Sequence, residues 1–70
     1  MIRQPVTSSN LRSVGYDPVG HTLEIEFNSG AIYQYDGVPS DVQDGLMHAS
    51  SHGSYFHQHI KDRYPHRRIG

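Results

Sequence analysis

The sequence has no cysteine and no long hydrophobic run. Without cysteine the chain can form no disulfide bridge, no thiolate zinc site and no thiol nucleophile. Without a long apolar run it offers neither the core of a signal peptide nor a helix that could span a membrane. We therefore expect a cytoplasmic protein that makes no membrane contact.

Hydrophobic residues are also scarce, at 34% of 70 residues, and the mean hydropathy is −0.67. A domain of this size buries only about 60% of the surface that its unfolded chain exposes. Five tyrosines and two phenylalanines compensate in part, because each aromatic ring buries a large area. We expect one monomeric domain over residues 1–70, with an aromatic-rich core.

The strongest pattern is a β-hairpin that begins at residue 22. Apolar and polar residues alternate over residues 22–27, and Gly30 suits the last position of a three-residue loop over residues 28–30. A two-residue loop would turn each apolar set to the wrong side of the sheet. The three-residue loop places three pairs on one face: Phe27 with Ala31, Ile25 with Tyr33, and Leu23 with Tyr35.

The segments before the hairpin predict one further strand. Residues 1–9 contain Pro5 and a run of hydroxyl side chains, which indicates an extended lead-in. Val14 and Tyr16 then alternate with small residues over residues 10–16, and the following Asp-Pro-Val-Gly is typical of a turn. Together with the hairpin, this strand completes a three-stranded antiparallel meander.

Two short helices are expected after the hairpin. Ser40 and Gln43 have the spacing of a capping box, and this helix should end between Ser50 and Gly53. A second amphipathic segment should begin at Gly53 and Ser54 and end before Pro65, because proline cannot extend a helix. The expected fold is therefore α+β, a three-stranded antiparallel β-meander with two short helices packed on one face, followed by a basic tail at residues 64–70.

Charge is divided unevenly along the chain. Residues 1–52 hold two basic and six acidic residues, a formal net charge of −4, whereas residues 53–70 hold four basic residues and one acidic residue, a net charge of +3. Cations interleaved with aromatic rings are typical of surfaces that contact phosphates and bases. The candidate nucleic-acid contacts in this basic pole are Lys61, Arg63, Tyr64, His66, Arg67 and Arg68.

Tyr33 and Tyr35 share one strand face and have two interpretations. Exposed aromatic rings on a sheet can stack on nucleobases, as in several single-strand binders. The hairpin register instead places both rings beside Ile25 and Phe27, which favours packing in the core with the hydroxyls at its rim. Both interpretations remain open from the sequence.

No pattern predicts a metal site, a cofactor or catalysis. His48 and His52 have a spacing that can present two ligands on one helix face, but no HExxH frame surrounds them. The serines lack the context of a nucleophile, the glycines form no phosphate loop, and Glu24 and Glu26 alternate onto the solvent face of a strand. We expect a protein that is not an enzyme.

Three short motifs occur in order along most of the chain. A central Tyr-x-Tyr stands as Tyr33-Gln34-Tyr35, followed by Gly-Ser-x-Phe at residues 53–56 and Tyr-Pro at residues 64–65. In this order and spacing the chain resembles the KTSC family, short domains that occur alone in bacteria and at the C-terminus of some lysyl-tRNA synthetases. The resemblance implies an RNA-related role through that fusion, without an established activity. The histidines at 48, 52, 57 and 59 depart from the family pattern.

Two functions therefore follow from the sequence. The first is a small non-catalytic module that binds RNA, of a kind related to tRNA, through the basic pole. The second is a protein–protein interaction module whose partner is another protein or a fused domain. The first requires a continuous positive surface and salt-dependent affinity, and the second requires an apolar patch or a free strand edge.

Overall fold

The computed structural model describes all residues from Met1 to Gly70. An antiparallel five-stranded sheet carries two helices on one face, and the strands lie in chain order. The predicted α+β class and the two helices are confirmed, but the prediction of three strands is wrong. The elements are β1 Arg3–Pro5, β2 Leu11–Asp17, β3 Thr22–Phe27, β4 Ile32–Tyr35, α1 Ser40–His48, α2 His52–His59 and β5 His66–Arg68.

The β3–β4 hairpin has the predicted register. Ile25 lies opposite Tyr33 and Leu23 lies opposite Tyr35. The amide of Phe27 donates to the carbonyl of Ala31 at 2.9 Å, which closes the three-residue loop. Gly30 takes a φ of 96°, a conformation that side chains with a Cβ rarely adopt.

A β-bulge in β2 brings one more apolar residue into the core. Leu11 pairs with Phe27 and Ser13 pairs with Glu26, so Arg12 is the extra residue of the bulge. Leu11 and Val14 are an odd number of residues apart and would face opposite sides of a regular strand. Because of the bulge, both are buried in the same core.

The two additional strands lie at the edges of the sheet, where their sequences show no apolar alternation. β1 pairs with β2, and its Pro5 occupies an edge strand, where a missing amide donor is tolerated. β5 pairs with β4 within the segment predicted to be a basic tail. Backbone hydrogen bonds also flank β5, from Asp36 to the carbonyl of Pro65 and from Ile69 to that of Ile32.

A chain of polar side chains crosses the sheet on the face opposite the helices. Arg3 and Gln34 donate to the two carboxylate oxygens of Glu24, at 2.6 and 2.8 Å. Arg67 donates to Gln34 at 2.7 Å and to Asp36 at 2.6 Å. This polar chain connects β1 and β5 to the strands between them. Glu24 is consequently 7% exposed, so the expectation that it faces solvent is wrong.

The helix termini differ from the predicted caps. Pro39 has extended backbone angles, and its carbonyl accepts hydrogen bonds from Val42 and Gln43. Ser40 is therefore already the first helical residue and makes no capping hydrogen bond, so the predicted capping box is absent. The second helix begins earlier than predicted, because the Ser51 hydroxyl accepts from the Ser54 amide at 3.2 Å.

Nine buried hydrophobic residues form the core between the helices and the sheet. Tyr55 of α2 lies so close to Gly45 of α1 that a Cβ there would be 2.6 Å from the Cζ of Tyr55. The two helices can therefore approach each other closely at Gly45, because glycine has no side chain. Neither helix has the length and apolar character needed to cross a bilayer. The core consists of Leu11, Val14, Leu23, Ile25, Tyr35, Val38, Leu46, Phe56 and Ile60.

We predict that Ile25→Ala lowers the free energy of unfolding by about 2 to 5 kcal/mol, because it leaves a cavity at a fully buried position. Urea denaturation followed by circular dichroism measures the loss. Val19→Ala is the matched control, since Val19 is 92% exposed and should change stability by less than about 0.5 kcal/mol. Equal losses in the two variants would contradict the assignment of the core.

The two helix starts predict that replacing Ser51 lowers stability and that replacing Ser40 does not. Ser51→Ala removes the acceptor of the Ser54 amide and should cost about 1 kcal/mol. Ser40→Ala removes no capping bond and should leave the urea midpoint unchanged. A larger loss for Ser40→Ala than for Ser51→Ala would show that the first helix is capped by Ser40 after all.

The polar chain predicts acid sensitivity that depends on Glu24. Burial alone would raise the pKa of Glu24, but hydrogen bonds from Gln34 and Arg3, together with the Arg3 charge, lower it below its ordinary value of 4.5. The ionised carboxylate therefore stabilises the fold above pH 4.5, and this contribution is lost as the pH falls through the lowered pKa.

We expect the urea midpoint of the Glu24→Gln variant to fall less steeply below pH 4.5 than that of the unmodified domain. Asp44→Asn provides the control, because Asp44 is exposed and belongs to no ion pair. Its profile should parallel that of the unmodified domain. Parallel profiles for Glu24→Gln and the unmodified domain would contradict the role of the polar chain.

Candidate nucleic-acid interface

An open groove of about 570 Å³ lies on the face of the sheet that carries Tyr33, Tyr35 and His66. Its sides come from the β3–β4 hairpin, the segment before β2, the end of α2 and the start of β5. Aromatic rings, amides and hydroxyls, and a few charged groups line it. We call it the aromatic groove; its lining residues are Ser9, Asn10, Phe27, Asn28, Ser29, Ala31, Tyr33, Tyr35, Phe56, His57, Lys61, Asp62 and His66.

The rings of the groove pack against one another in a continuous cluster. Phe56 makes edge-to-face contacts with Phe27 and Tyr35, at ring-centroid distances of 5.4 and 5.6 Å. His66 lies 5.9 Å from Tyr33 and 5.5 Å from Tyr35. These are distances at which aromatic pairs attract, so the rings are held in place before any ligand arrives.

The two tyrosines of the Tyr-x-Tyr motif belong both to the core and to the groove. Tyr35 is 4% exposed and Tyr33 is half-buried. No buried side-chain oxygen lacks a partner, and the Tyr35 hydroxyl bonds to no protein group, so this hydroxyl is accessible at the surface of a residue that lines the groove. Burial, followed by the influence of Tyr33 and Asp62, raises the pKa of Tyr35 to about 12. The hydroxyl is therefore protonated at neutral pH and can donate a hydrogen bond.

The basic pole is divided by the alternation of β5. His66 pairs with Tyr35 and Arg68 pairs with Tyr33, so both lie on the groove side of the sheet. Arg67 pairs with Gln34 and lies on the opposite face, where it forms an ion pair with Asp36. The structure therefore brings His66 to the groove and separates Arg67 from Arg68.

The remaining residues of the basic pole lie near the end of α2. Lys61 lines the groove, and Arg63 is exposed with its Nε donating to the carbonyl of Gln58 at 3.1 Å. Tyr64 is half-buried and packs against the core rather than lining the groove. Asp62, between these cations, has a φ of 63°, in the left-handed region.

The histidines with ligand-like spacing belong to separate helices. The Nδ1 of His48 donates to the carbonyl of Asp44 at 2.9 Å, and the Nδ1 of His52 donates to that of Leu46 at 2.8 Å. Each ring thus bonds to the backbone of α1. No group of three or more His, Cys, Asp or Glu side chains is arranged to hold a metal ion.

The part of the groove that lies outside the hairpin is not predicted by the sequence. The alternation of residues 22–27 placed Phe27 on the same face as the tyrosines, but nothing in the sequence brought Phe56 and His57 next to them. The adjacency of Phe56 to the hairpin requires the docking of α2. The clearest sequence signal for this groove is that aromatic residues lie close in the chain to both the Tyr-x-Tyr motif and the basic pole.

Several known proteins resemble this chain. A family model described as the KTSC domain matches residues 7–64. An uncharacterized protein of Stutzerimonas stutzeri is 47% identical over 64 residues, which cover 91% of this chain and 90% of that protein. A lysine–tRNA ligase of Nostoc sp. is 39% identical over 61 residues, which cover 87% of this chain and 11% of the ligase.

A solved structure has the same fold over almost the whole length. The crystal structure of a KTSC domain protein from Yersinia pestis is 45% identical in sequence and superposes with a TM-score of 0.96. The superposition covers 99% of this chain and 97% of the other. The family model, the relatives and the shared fold agree with the resemblance carried by the Tyr-x-Tyr and Tyr-Pro motifs. The chain therefore belongs to the KTSC domain family.

Proposed function

We propose that this domain is a non-catalytic module that binds single-stranded RNA in the aromatic groove. This proposal is supported by the packed rings of Tyr33, which is half-buried, and His66, which line an open groove together with Lys61. Aromatic rings that are already fixed can stack on bases without a further loss of side-chain entropy. A groove of this size accommodates a segment of about one or two nucleotides.

Stacking supplies more of the expected affinity than charge does. Each stacked base contributes about 1 to 3 kcal/mol, whereas the groove side carries few fixed cations. Lys61 lines the groove and Arg68 shares its side of the sheet. We therefore propose Lys61, His66 and Arg68 as contacts, with Arg63 beside them. In this proposal Arg67 and Tyr64 serve the fold instead, because Arg67 is paired with Asp36 and Tyr64 packs on the core.

The distribution of charge favours the groove over the opposite sheet face. On that face Arg3, Arg12 and Arg67 all form ion pairs with carboxylates. Their charge is largely compensated there, which makes the face a poor phosphate surface. The groove side holds one carboxylate, that of Asp62, among its lining residues.

The relatives give the proposal a biological setting. A segment similar to this chain makes up 11% of a lysine–tRNA ligase, whose name states that its substrate is a tRNA. An RNA-binding accessory domain is a natural partner of such an enzyme. We propose that this domain acts in the cytoplasm as a monomer, without a cofactor. The groove serines, Ser9 and Ser29, make no hydrogen bond to a histidine, which supports a non-catalytic role.

One observation favours protein binding as a second candidate function. β5 is the last strand of the sheet, so one of its edges has no partner strand, and Ile69 beside it is 49% exposed. A free edge can accept an extended segment of another protein. Such binding would depend little on salt, in contrast to RNA binding.

We predict that Arg68→Gln weakens the binding of a fluorescein-labelled single-stranded octaribonucleotide, measured by anisotropy in low salt, because it removes a groove-side cation. Tyr33→Leu should weaken binding by about 1 to 3 kcal/mol through the loss of stacking. The slope of log affinity against log salt should be no steeper than about −0.7 for each phosphate contacted.

Arg67→Gln is the matched control, since it removes the same charge from the same strand on the opposite face. It should leave RNA affinity nearly unchanged while it lowers stability. Equal weakening by the two arginine variants would place the contacts elsewhere. Absence of binding to the octaribonucleotide in low salt would overturn the RNA proposal and favour the free edge of β5.

A further inference from the structure

The aromatic groove contains a single carboxylate, that of Asp62. Its other polar lining groups are hydroxyls, amides, imidazoles and the Lys61 ammonium, a set that suits an anionic ligand. A carboxylate in such a site opposes the binding of phosphate through its charge. Its presence there is explained if it recognises a different part of the ligand.

The Asp62 carboxylate is available to a ligand. All four ion pairs of the protein involve Glu24, Glu26 or Asp36, and Asp62 accepts no hydrogen bond from any protein group. An ionised carboxylate has only acceptor sites, and two adjacent donors can occupy them at once. Tyr35 lines the same groove, and its protonated hydroxyl can donate.

The backbone at Asp62 holds this residue in an unusual conformation. Its φ of 63° lies in the left-handed region, where glycine is unstrained and aspartate and asparagine are tolerated better than most residues. The two backbone amides before it, those of Ile60 and Lys61, both donate to the carbonyl of Phe56 and end α2. The end of the helix thus fixes the position of Asp62 at the groove rim.

We propose that Asp62 selects the nucleobase held in the aromatic groove, and that it favours guanine. Guanine presents two adjacent donors, N1–H and the N2 amino group, which match the two oxygens of a carboxylate. Adenine and cytosine place an acceptor next to their amino group, and uracil places carbonyl oxygens on both sides of its single donor. Those acceptors face a negative charge, so the same carboxylate that binds guanine disfavours uracil. This inference rests on the proposed RNA function.

Four pentaribonucleotides that differ only in the central base test the proposal: UUGUU, UUAUU, UUCUU and UUUUU. Titration calorimetry or amide NMR in low salt should give about tenfold tighter binding for UUGUU than for UUUUU, the discrimination of a good bidentate contact. The pentanucleotide with inosine at the centre should lose most of this preference, because inosine has N1–H but lacks the N2 amino group.

Asp62→Asn is the decisive variant, because asparagine has the same size and tolerates the left-handed backbone. It should weaken UUGUU binding and strengthen UUUUU binding, so that the two affinities converge. A purely structural role would move both affinities in the same direction.

Equal affinity of the unmodified domain for all four oligonucleotides would overturn base selection by Asp62 and leave the RNA-binding proposal standing. A guanine preference that persists with inosine or in Asp62→Asn would also overturn it. Failure of every oligonucleotide to bind would overturn the RNA function and, with it, this inference.

Discussion

The register of the β3–β4 hairpin decides which side chains face the helices and which face the other side of the sheet. Ile25 opposite Tyr33 sends both side chains toward the helices, and the next pair, Glu24 opposite Gln34, goes to the other face. A slip of one residue would expose the tyrosines' face and bury the acids. The motif Tyr-x-Tyr therefore has a double role, because its tyrosines build the core and groove while its middle residue joins the polar chain across the sheet.

The same alternation gives β5 two functions in three residues. His66 completes the aromatic cluster with Tyr33 and Tyr35, whereas Arg67 joins the polar chain through Gln34 and Asp36. The basic composition of this segment thus includes one cation that holds the sheet together and one, Arg68, that lies on the groove side. Composition alone cannot distinguish these two arginines, because the sheet face on which each side chain lies is fixed only when β5 pairs with β4.

Much of the fold could be predicted from local sequence. The hairpin was accessible because residues 22–27 alternate strictly and Gly30 suits the loop. β1 and β5 were not, since edge strands of polar residues are held by partners far away in the chain. Gly45 is unfavourable for a helix by its intrinsic propensity, yet in the structure it admits Tyr55 of the other helix. The groove combines both cases: its hairpin rings were predicted, and those from α2 and β5 required tertiary contacts.

In the function proposed above, the aromatic groove contacts RNA and the opposite sheet face does not. Titration of the ¹⁵N-labelled domain with a short single-stranded RNA, followed by amide chemical shifts, tests it most directly. We expect progressive shifts at Tyr33, Tyr35, Lys61 and Asp62, with those of Arg3 and Gly15 unchanged. Shifts confined to Arg3 and Gly15, or none at all in low salt, would contradict it.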